Sequence, residues 1–187
     1  MPTAKTIIIP GSVRDGSFNV KLAHAFARML DLIEAESTVV SLADYAMPIL
    51  SQNIEKETGA PDAAIRLAAH VAEHQAVILI NPEYNGSITP LMKNTLDWLS
   101  RDVGEKVYKN RVFALASSSP GKLGGIRGLA HMRDVLVSVG ADMITPQIAV
   151  GNAFEAFTSD GDLSDEGMDK MLRTICESLV SRAQLLV

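Results

Sequence analysis

Lys5-Thr6-Ile7-Ile8-Ile9-Pro10-Gly11-Ser12-Val13-Arg14-Asp15-Gly16-Ser17-Phe18-Asn19 sets an apolar run, a polar turn and a helix entry in immediate succession. The run from Lys5 to Pro10 lacks the polar alternation of a half-exposed strand, so it reads as a strand buried on both faces. Beyond the turn, Leu22, Ala23, Phe26, Ala27, Leu30 and Ile33 recur at helical spacing and predict a helix from about Phe18 to Glu34. A buried strand feeding a helix through one short loop is the first half of a βαβ unit, and the rest of the chain repeats it.

Further strands are expected over Ser37 to Leu42, Ala76 to Asn81, Arg111 to Ser117 and Met143 to Val150. Helices are expected over Asp62 to His74, Thr89 to Arg101, Ile126 to Val139 and Ser164 to Ala183. Thr89-Pro90 supplies a capping hydroxyl followed by proline at the first helical position. Ala43 to Pro61 reads as one irregular connection, and its length suggests a wall of a site. Five strands interleaved with five helices and joined by right-handed crossovers predict an α/β doubly wound three-layer sandwich, in a single domain over residues 1–187. A chain of that length buries about 70% of the surface its unfolded form exposes, so it needs no disulfide or structural metal.

Composition narrows the partners. Seventeen basic against twenty-two acidic residues give a net charge of −5, which offers no general attraction to nucleic acid or anionic membrane. The lone cysteine, Cys176, lies in an apolar-periodic stretch and reads as a buried, inert thiol in a reducing cytoplasm. The apolar run near the N-terminus is too short for a signal-peptide core or a membrane span.

In open parallel sheets ligands bind beyond the carboxyl ends of the strands, which directs attention to three loops. In the first, free N–H groups at a helix start, the Ser12 and Ser17 hydroxyls, the Asn19 amide and the Arg14 guanidinium form a donor set for a dianionic phosphate. Taken alone, the same residues also read as a polar capped turn that binds nothing. No Gly-Lys-Ser/Thr ending is present, and no glycine-x-glycine pair, so a monophosphate fits better than a triphosphate or a dinucleotide. The second loop, Pro82-Glu83-Tyr84-Asn85-Gly86-Ser87, offers an aromatic and turn amides for a planar heterocycle. In the third, Ser117-Ser118-Ser119-Pro120-Gly121-Lys122-Leu123-Gly124-Gly125, three glycines allow backbone to approach a flat ring. One loop for phosphate and two for a ring, all at one sheet end, point to a mononucleotide site.

Together these residues resemble the NADPH-dependent FMN reductases of flavodoxin-like fold, a family that includes quinone, azo-dye and chromate reductases. The resemblance covers nearly the whole chain. It rests on Gly11 to Asn19, on Pro82-Glu83-Tyr84-Asn85, on Leu91-Met92-Lys93-Asn94 leading to Asp97-Trp98-Leu99-Ser100, and on Ser119-Pro120-Gly121 to Gly124-Gly125. It implies strand order 2-1-3-4-5, FMN as cofactor and NAD(P)H as co-substrate. By the same resemblance Ser12, Arg14, Ser17, Phe18 and Asn19 hold the phosphate end, while Pro82, Glu83, Tyr84, Asn85, Gly86 and Ser119 line the isoalloxazine. Pro10 before the phosphate loop, Thr89 and Met92 depart from the usual pattern.

Other features have plainer readings. His70 and His74 share the spacing of a helical metal pair but lack a third ligand, so a solvated helix face is expected. Ser159-Asp160-Gly161-Asp162 lacks the ligand series of a calcium loop and reads as a turn. Glu83 is expected to make structural hydrogen bonds rather than act as an acid, and Ser119 has no His and Asp companions of a nucleophile. Leu91, Met92, Thr95, Leu96, Trp98 and Leu99 exceed one core-facing stripe, which suggests a dimer or tetramer interface, with a deeply buried helix as the alternative. The expected function is a cytoplasmic FMN-dependent reductase that passes hydride equivalents from NAD(P)H to quinones or similar small acceptors by a ping-pong scheme, without a catalytic side chain or metal. A flavodoxin-like one-electron carrier and a nucleotide-binding regulatory module are the alternatives.

Overall fold

The computed structural model describes residues 3–187. Its strands are β1 Thr6–Pro10, β2 Ser37–Val39, β3 Ala76–Ile80, β4 Val112–Ser118 and β5 Asp142–Val150. Its α-helices are α1 Phe18–Leu32, α2 Gln52–Thr58, α3 Asp62–Ala72, α4 Pro90–Leu99, α5 Ile126–Ser138 and α6 Glu166–Ala183. All five strands pair in parallel in the order β2-β1-β3-β4-β5, with Ile8 opposite Ile78 and Ile78 opposite Ala114 across the centre. The α/β sandwich and strand order expected from sequence are therefore present.

Strand pleating divides the core in two. Ile8, Ile78, Ala114 and Ala116 face Leu22 and Phe26 of α1 and Leu172, Ile175 and Leu179 of α6. Ile7, Ile9, Leu79, Phe113 and Leu115 face Leu67 of α3, Met92 and Trp98 of α4, and Leu129 and Met132 of α5. Burial on both faces is why β1, β3 and β4 are apolar without alternation. Cys176 lies inside the α1 and α6 layer, where burial pushes its thiol pKa up to about 12, so it stays protonated.

The connection after β2 differs from expectation. It contains a 3₁₀ turn, Leu42–Tyr45, and the helix α2, which the Ser51 side chain caps at Asn53 N and which stops at Gly59 with φ +76°. Gln, Glu and Lys favour this helix, but none of its residues is fully buried, so it leaves no apolar period to read. The segment does not wall the recess described below. It lies over α4: Trp98 Nε1 and Asn94 Nδ2 donate to Pro48 O at 2.7 and 2.9 Å, and Leu50 N donates to Asn94 Oδ1 at 2.8 Å. Met92, Thr95, Leu96, Trp98 and Leu99 are consequently buried within one chain. Five of the six residues whose apolar surplus suggested an interface are thus buried within the chain, while Leu91 stays partly exposed.

The pair on α3 also needs correction. His74 lies just beyond the helix end, buried at 5% exposure, and its Nδ1 is 2.8 Å from His70 O; His70 Nδ1 meets Tyr45 Oη at 3.1 Å. His74 therefore does not lie on a solvated face, and His70 is only partly exposed. Burial lowers the His74 pKa below 6.5, against the opposing pull of the His70 carbonyl. The folded state thus favours the neutral ring, and the unfolded chain binds the extra proton. This contribution to stability is complete above pH 6.5 and is lost as pH falls through that value toward the lowered pKa. Urea titrations from pH 7.5 to 5 should show a decline in unfolding free energy that is shallower in His74→Gln; equal slopes would exclude His74 as the source.

Candidate functional site

The site forms where β1, β3 and β4 end. Gly11 N donates to Ile80 O at 2.7 Å, which keeps the first loop against β3 even though Pro10 has no donor. A side chain at position 11 would meet Met92 Cε at 3.0 Å and Met92 Cβ at 3.1 Å, so Met92 underlies this loop. The chain then turns into α1 with Ser17 at the N-cap, and the Ser17 side chain makes no capping bond. The N–H groups of Phe18, Asn19 and Val20 belong to the first turn and have no intrahelical acceptor, and no acidic residue stands in that turn. Arg14 reaches only the Asp15 carbonyl, at 3.2 Å. Free hydroxyl, main-chain and guanidinium donors at a helix start favour an anion.

The Asn19 side chain has a structural task that the sequence did not show. Its Nδ2 donates to Ser118 O at 2.8 Å and its Oδ1 accepts from Ser118 N at 2.9 Å, so the buried amide clamps the end of β4 to α1. Its main-chain N–H remains among the donors of the first turn.

The second loop is held by two residues whose importance the sequence concealed. Asn81 Oδ1 accepts from Thr89 N at 3.2 Å, and Asn81 Nδ2 donates to Pro82 O at 2.8 Å. Thr89 Oγ1 lies 3.1 Å from Gly11 O and 3.3 Å from Asn81 Oδ1, and it accepts from Met92 N as the expected cap of α4. These buried groups tie the first loop to the second. Both are ordinary polar residues at element ends, which gives no sequence signal beyond the cap. Tyr84 and Ser87 then pair as a tight hairpin through Asn85 and Gly86, whose φ values of +51° and +78° suit a two-residue turn. The hairpin presents a Tyr84 side chain that is 56% exposed.

Glu83 is structural, as expected. Its Oε2 accepts from Arg127 N and Gly128 N, both at 3.0 Å, and its Oε1 pairs with Arg127 Nε at 3.2 Å. It caps α5 from another element, because Gly125 at the N-cap has no side chain to do so. The glycines of the third loop make close approaches, but to the protein itself. A Cβ on Gly124 would lie 2.5 Å from Ala149 C and O, and one on Gly125 would collide with Ser117 Oγ.

A recess of about 130 Å³ lies among these loops. It brings together Ser12, Arg14, Ser17, Phe18 and Asn19 from the first, Pro82, Glu83 and Tyr84 from the second, and Ser119 from the third. Ser118 and Pro120 complete the lining. Asn85 and Gly86 lie outside it as the hairpin turn. The recess is smaller than the roughly 300 Å³ at which small-molecule pockets begin, so it has room for a phosphate-sized group and not for a whole mononucleotide.

A parallel sheet in this order, with an uncapped helix start and an exposed aromatic hairpin beside it, is that of a flavodoxin-like protein. The model of the NADPH-dependent FMN reductase family matches residues 4–155, and the chain belongs to that family. It is accordingly an oxidoreductase with FMN as cofactor and NAD(P)H as co-substrate. Relatives include a quinone reductase of Pseudomonas putida, 30% identical over 160 residues (85% of this chain, 84% of that one). Another is a 2-hydroxy-1,4-benzoquinone reductase of a Burkholderia species, 26% identical over 174 residues (92% of each). Among solved structures, FerB, a flavoenzyme NAD(P)H:(acceptor) oxidoreductase from Paracoccus denitrificans, superposes with a TM-score of 0.83 at 26% identity, over 97% of this chain and 98% of that one. Among the described residues no helix is long and apolar enough to cross a membrane.

Glu83→Gln removes the charge that accepts two N–H groups at the start of α5 and should lower the unfolding free energy by about 1.5–3 kcal/mol in urea titrations. Arg127→Ala, which breaks only the more exposed pairing, should change it by less than about 1 kcal/mol. Equal losses would show that the ion pair, not the cap, is what matters.

Proposed function

We propose that this enzyme anchors the FMN phosphate in the recess at the start of α1 and reduces quinones and similar small acceptors at the expense of NAD(P)H. The observation that carries this reading is the convergence of donors on the recess: the first-turn N–H groups, the Ser12 and Ser17 hydroxyls, and Arg14, whose guanidinium otherwise meets only one main-chain carbonyl among the described residues. Bound FMN supplies the chemistry, accepting hydride from NAD(P)H and passing reducing equivalents to the acceptor. Around it, Arg14 and the helix start neutralise the phosphate. Pro82, Glu83, Tyr84 and Ser119 border the ring, and Asn85 and Gly86 serve by turning the hairpin that carries Tyr84. No acid, base or nucleophile is assigned among the side chains.

The names of the relatives support quinones as acceptors. The open edge of the recess supports successive use of one face by nicotinamide and acceptor. Exposed Tyr84 on the lining of the recess, with exposed Leu123 of the third loop and Ile126 at the start of α5, supports a homo-oligomer in which a second copy covers this end of the sheet. The buried single thiol and the acidic balance support a cytoplasmic location.

Arg14→Ala should raise the FMN Kd about 10- to 100-fold and leave riboflavin binding nearly unchanged, since a charge-assisted bond contributes about 1.5–3 kcal/mol. Equal weakening of both ligands would remove the phosphate from the recess. Steady-state rates at several quinone concentrations should give parallel double-reciprocal lines against NAD(P)H. Intersecting lines would exclude successive use of one face, and a failure to oxidise either nicotinamide with quinone present would favour the electron-carrier reading.

A further inference from the structure

Ser118 is the last residue of β4, 2% exposed and on the lining of the recess, and its Oγ has no hydrogen-bond partner. A buried hydroxyl without a partner is destabilising, and native structures rarely keep one without use. Ser117 Oγ is also unpartnered, but it lies on the other face of the strand, against the site where a Cβ on Gly125 would sit. Pleating distinguishes the two. Ala114 and Ala116 share the face of Ser118 and pack in the cluster of α1, whereas Phe113 and Leu115 share the face of Ser117 and pack in the cluster of α4 and α5. The main-chain N–H and C=O of Ser118 are both taken by the Asn19 amide, which holds the residue beside the first turn of α1. The hydroxyl is the one polar group of Ser118 left over.

We propose that Ser118 is a phosphate ligand of the bound flavin nucleotide: its O–H donates to a phosphate oxygen and completes the donor set of the first loop from the neighbouring strand. The inference rests on the reading that the recess holds the phosphate of FMN. It makes Ser118 a residue that discriminates FMN from riboflavin, and it gives the buried hydroxyl a partner in the loaded protein.

The test is a titration of the flavin-stripped full-length chain with FMN and with riboflavin, alongside thermal unfolding without ligand. Ser118→Ala should raise the FMN Kd about tenfold or more, shift riboflavin by less than about twofold, and leave the ligand-free Tm equal to or above that of the parent protein. Ser118→Cys, which keeps the bulk and loses the strong donor, should weaken FMN in the same way. Ser117→Ala should leave both affinities unchanged. Parent-like FMN affinity in Ser118→Ala and Ser118→Cys would overturn the proposal while leaving the FMN site in place. Equal loss of FMN and riboflavin affinity would also overturn it, and failure of the parent protein to bind FMN would overturn the reading beneath it.

Discussion

The buried pairing of the Asn19 amide with the main chain of Ser118 is the interaction on which the site depends. A helix start can bind an anion only if its N–H groups remain free and face a wall that completes the site. In this chain the wall is the end of β4, separated from α1 by 99 residues of sequence. A side-chain amide has the donor and acceptor of a peptide group, so Asn19 extends the pairing of β4 by one rung using a residue of the helix. Its burial makes the bond geometry stringent, because either partner left alone carries the full desolvation penalty. The same clamp holds Ser118 on the lining of the recess.

Comparable ties fix the other loops. Asn81 and Thr89 join the end of β3 to Gly11, and Glu83 joins the second loop to α5. In each case a polar side chain from one loop satisfies main-chain groups of another, so the loops are positioned by hydrogen bonds that the strands alone cannot supply. Tyr84 stands apart. It sits in a tight hairpin and is more than half exposed, so no buried hydrogen bond fixes it as the others are fixed.

The cover over α4 shows how position changes the meaning of an apolar stripe. Met92, Leu96, Trp98 and Leu99 carry enough apolar surface for an interface between chains, yet all four are buried within this one, and the segment after β2 accepts the indole N–H of Trp98 at Pro48. That segment has little periodicity of its own. Its role is set by what it lies against.

The sequence by itself determined the sheet, the crossovers and the sheet end at which the candidate site is sought. Uninterrupted β-branched runs, helical periodicity and glycine-rich turns are local properties, and the parallel arrangement leaves one sheet end at which loops of this kind converge. The capping role of Thr89 and the structural role of Glu83 were legible for the same reason. The partners of Asn19, Asn81 and Ser118, the fate of the apolar face of α4, the helix α2 and the burial of His74 were decided only by tertiary structure. Each depends on which distant main-chain group or surface comes within hydrogen-bonding or packing range, and one sequence encodes that proximity only through the fold as a whole.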